Sequence, residues 1–207
     1  IEHPVVGTDG IPKKELTQKY IFGSSEHDFI TGFSLDLTMF NFISISTSID
    51  WRQGGWMHSR TAGMVSFAGL SPNTLYNDRQ TFVVPNSVFE SEAGVYVENT
   101  FPVIYQNIGG SANSYWDLGG TLVGAHEMIP KTFVKWRDLS ISLIIPKKLL
   151  KRTPFGFASI GFVGNNLMLW TPKQNNVIDP ELTTFGNDLE AEFGEFGATP
   201  SVRTLGF

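Results

Sequence analysis

Two pairs of closely spaced carboxylates are the residues of this chain best suited to catalysis or metal binding. Glu90 and Glu92 form one pair, and Asp179 and Glu181 form the other around a proline. A glycosidase needs two carboxyl groups about 5–10 Å apart across a substrate cleft, whereas residues two apart on a strand only share a face. Clustered oxygen ligands also suit calcium, so Asp179 and Glu181 are candidate cation ligands, with a proline-stiffened turn as the alternative.

Other catalytic and metal-binding signatures are absent from the sequence. There is no cysteine, which excludes disulfides, thiol catalysis and thiolate metal sites. No Ser/His/Asp, phosphate-loop or zinc signature is present. The four histidines have no metal-ligand spacing: His3, His27, His58 and His126. We therefore expect a protein that is not an enzyme and that carries neither a metal ion nor a cofactor.

Aromatic side chains are the better candidates for ligand binding, because their flat rings can stack on sugars. The candidates come from a Gly-, Asn-, Ser- and Pro-rich stretch at 53–131 that has little periodicity. The candidates are Trp56, Tyr76, Tyr96, Tyr105, Tyr115 and Trp116. The alternative is that these rings pack a small core of the loop itself, or belong to an aromatic girdle at a membrane surface.

Composition indicates an all-β chain with few surface charges. Charged residues make up 17% of the 207 residues, against about 25% in typical globular proteins. Aromatic residues make up 13%, with 21 glycines, and the net charge is −5. This net negative charge gives no sign of a basic surface that would bind nucleic acid. No apolar run reaches the roughly 18 residues of a membrane helix, but a membrane strand needs only about 9–11.

Alternating polar and apolar residues predict five antiparallel strands, at about 30–40, 42–52, 133–146, 155–171 and 201–207. Such period-two alternation places successive side chains on opposite faces of a strand. One face is aliphatic. The other carries serines together with Asp36, Asp50 and Asp138.

The connections between these strands differ in length at the two ends. Short turns occur at Asn41 and at 146–154, whereas long loops occupy 53–131 and 172–200. Outer-membrane barrels have this asymmetry, with short periplasmic turns and long extracellular loops. In a barrel, Asp36, Asp50 and Asp138 would line the lumen. The alternative is a soluble β-sandwich that binds carbohydrate through its aromatic loop.

Several motifs occur in a fixed order along the chain. Residues 136–150 read WRDLSISLIIPKKLL, residues 159–171 read SIGFVGNNLMLWT, and residues 200–207 read PSVRTLGF. Together with Asp179-Pro180-Glu181 and the Trp-Arg-Gln-Gly-Gly of 51–55, these segments resemble motifs near the C-terminus of SusC/RagA-type TonB-dependent outer-membrane transporters. Asn165 is a departure, since the family usually has arginine there.

This resemblance implies a fold and a function. The chain would be the C-terminal part of a β-barrel of about 22 strands, and we expect the family's N-terminal plug domain to be absent from residues 1–207. Members of the family import oligosaccharides or peptides across the outer membrane of Gram-negative cells. The implied partners are a SusD-like surface lipoprotein, TonB through the missing N-terminal region, and outer-membrane lipid.

Overall fold

A computed structural model describes residues 3–13, 21–103, 127–182, 184 and 193–207. The chain divides into two compact units. The sheet unit comprises Gly23–Met57, Pro130–Phe193 and Ala198–Phe207. The loop unit comprises Ile1–Phe22, His58–Ile129 and Gly194–Gly197.

Most of the regular structure in the described residues is strand. In chain order the strands are β1 (Val5–Val6), β2 (Phe29–Met39), β3 (Ile43–Gln53), β4 (Trp56–Ser59), β5 (Phe82–Val83), β6 (Val88–Glu92), β7 (Val95–Glu98), β8 (Pro102–Val103), β9 (Met128–Pro130), β10 (Phe133–Ile144), β11 (Ser159–Trp170), β12 (Gly194–Glu195) and β13 (Thr204–Gly206). The helices are α1 (Arg60–Phe67), a kinked 3-10 segment (Pro72–Arg79) and α2 (Lys147–Leu150). The all-β class predicted from the sequence is confirmed.

The sheet unit is built on a five-stranded antiparallel sheet with the order β13-β11-β10-β3-β2. Strands β2 and β3 have 11 residues each, and β10 and β11 have 12, about twice the usual length in soluble proteins. The turn between β2 and β3 is tight, with positive φ at Phe40 (53°) and Asn41 (60°). This pair of angles matches a type I′ hairpin turn, whose twist suits the flanking strands.

Strand β13 is shorter than the segment predicted at 201–207. Its ladder with β11 ends at the pair Asn165 and Thr204, because the next residue of β11, Asn166, has a φ of 51° and bulges out of the strand. The Asn166 amide then donates to the Val202 carbonyl at 3.0 Å, in place of a ladder bond. The predicted strand at 155–171 likewise begins later, at Ser159.

The register assigns every strand of this sheet a common apolar face, because residues directly opposite on neighbouring strands point the same way. Among the exposed members of this face, the exposed fraction runs from 36% at Ile141 to 63% at Leu205. The apolar residues of this face are Phe33, Leu35, Leu37, Met39, Ile43, Ile45, Ile49, Trp51, Val134, Trp136, Leu139, Ile141, Leu143, Ile160, Phe162, Met168, Trp170 and Leu205, and Thr47 also lies on it.

The opposite side, called the polar face, carries the serines and the charges. It includes Ser34, Asp36, Thr38, Ser44, Ser46, Ser48, Asp50, Lys135, Asp138, Ser140, Ser142, Asn165 and Thr204. The alternation in the sequence is therefore present across the whole sheet, strand by strand. No helix in the described part of the chain is long and apolar enough to span a membrane.

The loop unit has its own small core, in a region whose sequence shows little periodicity. Buried Val6, Val84 and Val103 pack together, with Phe82 and Phe89 against them. Strand β6 pairs with β1 in parallel and with β7 in an antiparallel hairpin. The elements that supply this core are two to five residues long. Contacts between distant segments rather than a local repeat therefore hold it together.

Buried carboxylates also stabilise the loop unit around the start of α1. Glu195 is 1% exposed and accepts hydrogen bonds from Ser59 and Thr61, the latter at 2.6 Å from its hydroxyl. Glu127 accepts from Arg60 at 2.5 Å and approaches His58 at 2.7 Å. Each buried acid thus has polar partners, which burial of a charge requires.

Candidate functional site

A β-bulge at Arg137 gathers charged side chains on the polar face. The ladders of β10 with both neighbours shift register between Trp136 and Asp138. Alternation alone would place Lys135 and Arg137 on one face and Asp138 on the other. The extra residue resets the phase, so that Asp138 joins the face that carries Lys135, as bulges re-aim side chains elsewhere.

Hydrogen bonds on the apolar side satisfy the backbone at this bulge. The Trp136 indole N–H donates to the Thr47 hydroxyl at 2.7 Å and to the Asp138 carbonyl at 3.0 Å. Thr47 in turn donates to the same carbonyl at 2.7 Å. The bulge is therefore fixed by a tryptophan and a threonine on neighbouring strands.

Glu181 is the centre of an ion-pair cluster over the polar face. It reaches Arg137 by two bonds, at 2.6 and 2.5 Å, Lys135 at 2.9 Å and Arg52 at 2.8 Å. Arg137 also donates twice to Asp50, at 2.8 and 2.6 Å. Three cations from β3 and β10 thus hold the segment after β11 against the sheet.

The most buried pair of this cluster joins Lys135 to Asp179. The Lys135 Nζ lies 2.6 Å from the Asp179 Oδ2, and the two side chains are 5% and 4% exposed. A buried charge is tolerated when it is paired and hydrogen-bonded. Asp179 also accepts from the Glu181 N–H at 3.1 Å, and its carbonyl accepts from the Leu182 N–H at 3.0 Å. This geometry is that of a carboxylate-stabilised turn.

The cation-ligand interpretation of Asp179 and Glu181 does not fit this arrangement. Their oxygens already accept bonds from Lys135, Arg137 and Arg52, and positive neighbours repel a metal ion. Over the described ranges, no group of three His, Asp or Glu side chains could hold a metal. The proline-stiffened turn, the alternative given by the sequence, fits the structure better.

The environment of Glu181 shifts its pKa. Burial by itself opposes ionisation of the carboxyl group, but the hydrogen bonds and charges of Arg137 and Lys135 outweigh it and lower the pKa from 4.5 to about 2. Because the folded-state pKa is the lower one, the ionised cluster stabilises the fold above about pH 4.5. That stabilisation is lost as the pH falls towards 2.

We expect the urea midpoint of the protein to fall as the pH drops from 4.5 to 2. In Glu181→Gln the midpoint should be lower at pH 7 and depend much less on pH in this window, because the titrating group is gone. Glu26→Gln, at an exposed acid of the same unit, is the control and should keep the wild-type pH dependence. Identical pH profiles for wild type and E181Q would contradict the assigned role of Glu181.

The three aspartates predicted to line a lumen all lie on the polar face. Asp50 pairs with Arg137 at 2.6 Å, and Asp138 accepts from the Ser48 hydroxyl. On β2, Asp36 lies opposite Ser46 of β3, and Gly32 lies opposite Asp50 of β3. Asp36 is four residues from Gly32 along β2, so it lies about 13 Å along the strand from the position of Asp50. Asp50 thus belongs to the charged cluster, Asp138 bonds to a serine of the same face, and Asp36 lies farther along the sheet.

The structure describes three of the six aromatic candidates. Trp56 lies in the sheet unit beside Gly23. Tyr76 and Tyr96 lie in the loop unit and are 47% and 55% exposed. Tyr76 packs edge-on against Phe82, with ring centroids 4.8 Å apart, and Phe82 in turn packs against the core of the loop unit. Tyr105, Tyr115 and Trp116 are outside the described residues.

The carboxylate of Glu90 is placed poorly for acid catalysis. Glu90 accepts from the Gly94 N–H at 3.1 Å and lies 3.3 Å from Lys13. These two contacts lower the pKa of Glu90, the Gly94 bond being the larger cause. A glycosidase general acid needs a raised pKa, so this environment favours a surface carboxylate.

Sequence reasoning missed Arg52 and Lys135 as parts of the charged cluster. One signal was present for β10: the polar positions change phase between Arg137 and Asp138, which predicts a bulge at that point. The pairing of Arg52 with Glu181 had no local signal, because it joins positions far apart in the chain. Arg52 also lies 5.4 Å from the centre of the Phe133 ring.

These features define a long-stranded antiparallel sheet with a charged polar face and an exposed apolar face. No protein-family model matches the sequence, and no curated protein matches it either. Among solved structures, the RagAB peptide importer in its open-open state contains a chain similar to this one, with 17% identity over 83% of this chain and a TM-score of 0.48.

Two further structures show a comparable likeness. A chain of the RagAB peptide importer in its closed-closed state is 14% identical over 74% of this chain, with a TM-score of 0.46. A chain of the RagAB peptide transporter is 15% identical over 64%, with a TM-score of 0.36. The present chain spans 15%, 17% and 12% of the closed-closed, open-open and transporter chains, respectively. Function is therefore inferred from the residues of the chain itself.

Proposed function

We propose that this chain forms the C-terminal part of the wall of an outer-membrane β-barrel transporter of SusC/RagA type. The observation that carries the proposal is the exposed apolar face shared by all five strands of the sheet. On a soluble protein, an uncovered apolar patch of this extent is unusual. In a barrel wall the same face contacts lipid, and the polar face lines the water-filled interior.

The length of the strands supports a membrane-spanning role. Strands β2 and β3 have 11 residues, which at about 3.3 Å per residue gives about 36 Å. A tilt of about 45° reduces this to about 25 Å along the membrane normal, the height of the apolar band of outer-membrane barrels. The strands are therefore long enough to cross that band once.

Aromatic residues lie at both ends of the apolar face. At one end, Trp51 and Trp170 both lie opposite Val134, and Trp51 packs edge-on against Phe29 at 4.9 Å. At the other end, Phe40 and Phe42 stack at 5.8 Å. The rows between carry mainly aliphatic side chains, together with Phe33, Trp136 and Phe162. Two aromatic girdles that flank an apolar band are typical of outer-membrane barrels.

The exposure of the apolar face argues against a sandwich. In a β-sandwich one face of each sheet is buried against the other sheet. Here Phe33, Ile160 and Leu205 are 58%, 62% and 63% exposed. A soluble carbohydrate-binding module would place such residues in its core.

The resemblance of the sequence motifs to the SusC/RagA family supports a proposal for the substrate and the partners. We infer import of oligosaccharides or peptides, with a SusD-like lipoprotein at the cell surface and TonB acting through a plug N-terminal to this chain. The residues proposed to touch the ligand or the lipoprotein are Trp56, Tyr76, Tyr96, Tyr105, Tyr115 and Trp116. Asp36, Asp50 and Asp138 are proposed to line the lumen.

Spin labels at adjacent strand positions test the orientation of the sheet. The chain contains no cysteine, so single substitutions label cleanly. Isoleucine-to-cysteine changes at Ile45 and Ile141 probe the apolar face, with Ser46→Cys and Ser140→Cys as matched neighbours on the polar face. In reconstituted bilayers, the first pair should be more accessible to oxygen and the second to a water-soluble nickel chelate. Equal nickel accessibility at all four positions would refute the barrel.

A further inference from the structure

An apolar pocket of about 380 Å³ opens between the two turns at one end of the sheet unit. Phe40 and Phe42 from the β2–β3 turn form one side. The last residue of β10, Ile144, forms the other side together with Leu150 and Phe157 of the β10–β11 connection. The Ile144 N–H donates to the Phe42 carbonyl at 2.8 Å, which ties the two turns together. The volume is within the usual range for small-molecule sites, about 300–1,000 Å³.

The turn residue Phe40 adopts a conformation that phenylalanine rarely takes. Its φ is 53°, the left-handed region that turns of this type normally fill with Asn, Asp or Gly. The residue is also 74% exposed, so the conformation does not serve to bury it within the chain. Strain of this kind often marks a functional position. An apolar occupant of the pocket would account for the exposed ring.

The connection beside the pocket is strongly basic. Lys147 lines the pocket, and Lys148, Lys151 and Arg152 follow it in the chain, all exposed. Residues 139–178 contain neither Asp nor Glu. Within the described residues, none of these four cations has an ion pair. The pocket therefore has a mainly apolar lining with one lysine, and three further exposed cations lie in the segment that follows it.

We propose that this pocket binds an anionic phospholipid, with an acyl chain between the phenylalanines and the phosphate at Lys147 and Lys148. This inference rests on the proposed function, because the barrel wall would place the pocket at the level of the lipid head groups. Basic clusters beside a membrane bind anionic lipids in this way. Charge complementarity selects the anionic lipid over a zwitterionic one with the same chains.

Native mass spectrometry of the full-length protein in detergent micelles tests the site. Dioctanoyl phosphatidylglycerol should bind more tightly than dioctanoyl phosphatidylcholine. The double variant Lys147→Gln/Lys148→Gln should remove this preference. Its affinity for phosphatidylglycerol should fall by about fivefold for each lysine, or about 25-fold together. Lys173→Gln/Arg203→Gln removes two exposed charges of the same unit and should leave the preference intact.

A second variant tests the apolar part of the site. A Cβ added at Gly156 meets no heavy atom within 4 Å, so Gly156→Trp places a ring at the pocket lining without a clash at its base. Both lipids should then bind more weakly. Equal binding of the two lipids to wild type, unchanged preference in K147Q/K148Q or unchanged binding in G156W would each overturn the proposal.

Competition with inorganic phosphate distinguishes a lipid site from a phosphate site. Phosphate at the same concentration should not displace phosphatidylglycerol, and displacement would show a phosphate site instead of a lipid site. The micelle measurement does not depend on the bilayer spin-label result. If the spin labels show that the apolar face is exposed to water, the barrel proposal is refuted but the lipid site is not. If the wild type binds both lipids equally in micelles, the lipid site is refuted but the barrel is not.

Discussion

Replacing Lys135 with methionine should lower the free energy of unfolding by about 3–5 kcal/mol, the usual cost of breaking a buried ion pair from one side. The Lys135 side chain is 5% exposed, and its Nζ lies 2.6 Å from Asp179 and 2.9 Å from Glu181. Without the ammonium group, Asp179 keeps a buried negative charge that has lost its ion-pair partner. The methionine restores the apolar volume but none of the hydrogen bonds.

Urea denaturation followed by tryptophan fluorescence measures this effect. Lys173→Met, at an exposed lysine, is the control and should change the free energy of unfolding by no more than about 0.5 kcal/mol. Adding Asp179→Asn to K135M should recover part of the loss, because it removes the unpaired charge. A K135M variant within about 1 kcal/mol of wild type would show that the pair contributes little.

The five-stranded sheet could be predicted from the sequence because the signal for each long strand lies within that strand's own consecutive residues. Alternation over ten or more residues fixes both the strand and the face of each side chain. A register slip of one residue would move every serine to the opposite face of the sheet. The strand bounds were less predictable. Asn166 ends the β11–β13 ladder through its own backbone conformation, which a period-two pattern does not encode.

The charged cluster and the loop unit could not be predicted in this way. Glu181 meets Arg52 and Arg137 across more than forty residues of chain, and Glu195 meets Ser59 across an even longer separation. Such pairs depend on the final fold and leave no periodic signal. The strands of the loop unit are also too short for periodicity to appear.

An arginine on the apolar face should disrupt insertion into a bilayer. Leu35 lies in the middle row of this face, opposite Thr47, and is 42% exposed. In a barrel wall, Leu35→Arg places a guanidinium near the midplane of the bilayer, at a cost of about 2–4 kcal/mol. On a soluble protein, the same change at an exposed leucine would alter stability by no more than about 0.5 kcal/mol.

The neighbouring residue provides a matched control for this substitution. Ser34 lies on the polar face opposite Ser48, so Ser34→Arg adds the same charge one residue away but directs it into water. Folding into dilauroylphosphatidylcholine vesicles, measured by urea titration, should be weakened in L35R by about 2–4 kcal/mol and be nearly unchanged in S34R. Equal effects of the two arginines would contradict the assignment of the faces. A larger effect in S34R would reverse the assignment, because it would place the serine face against lipid.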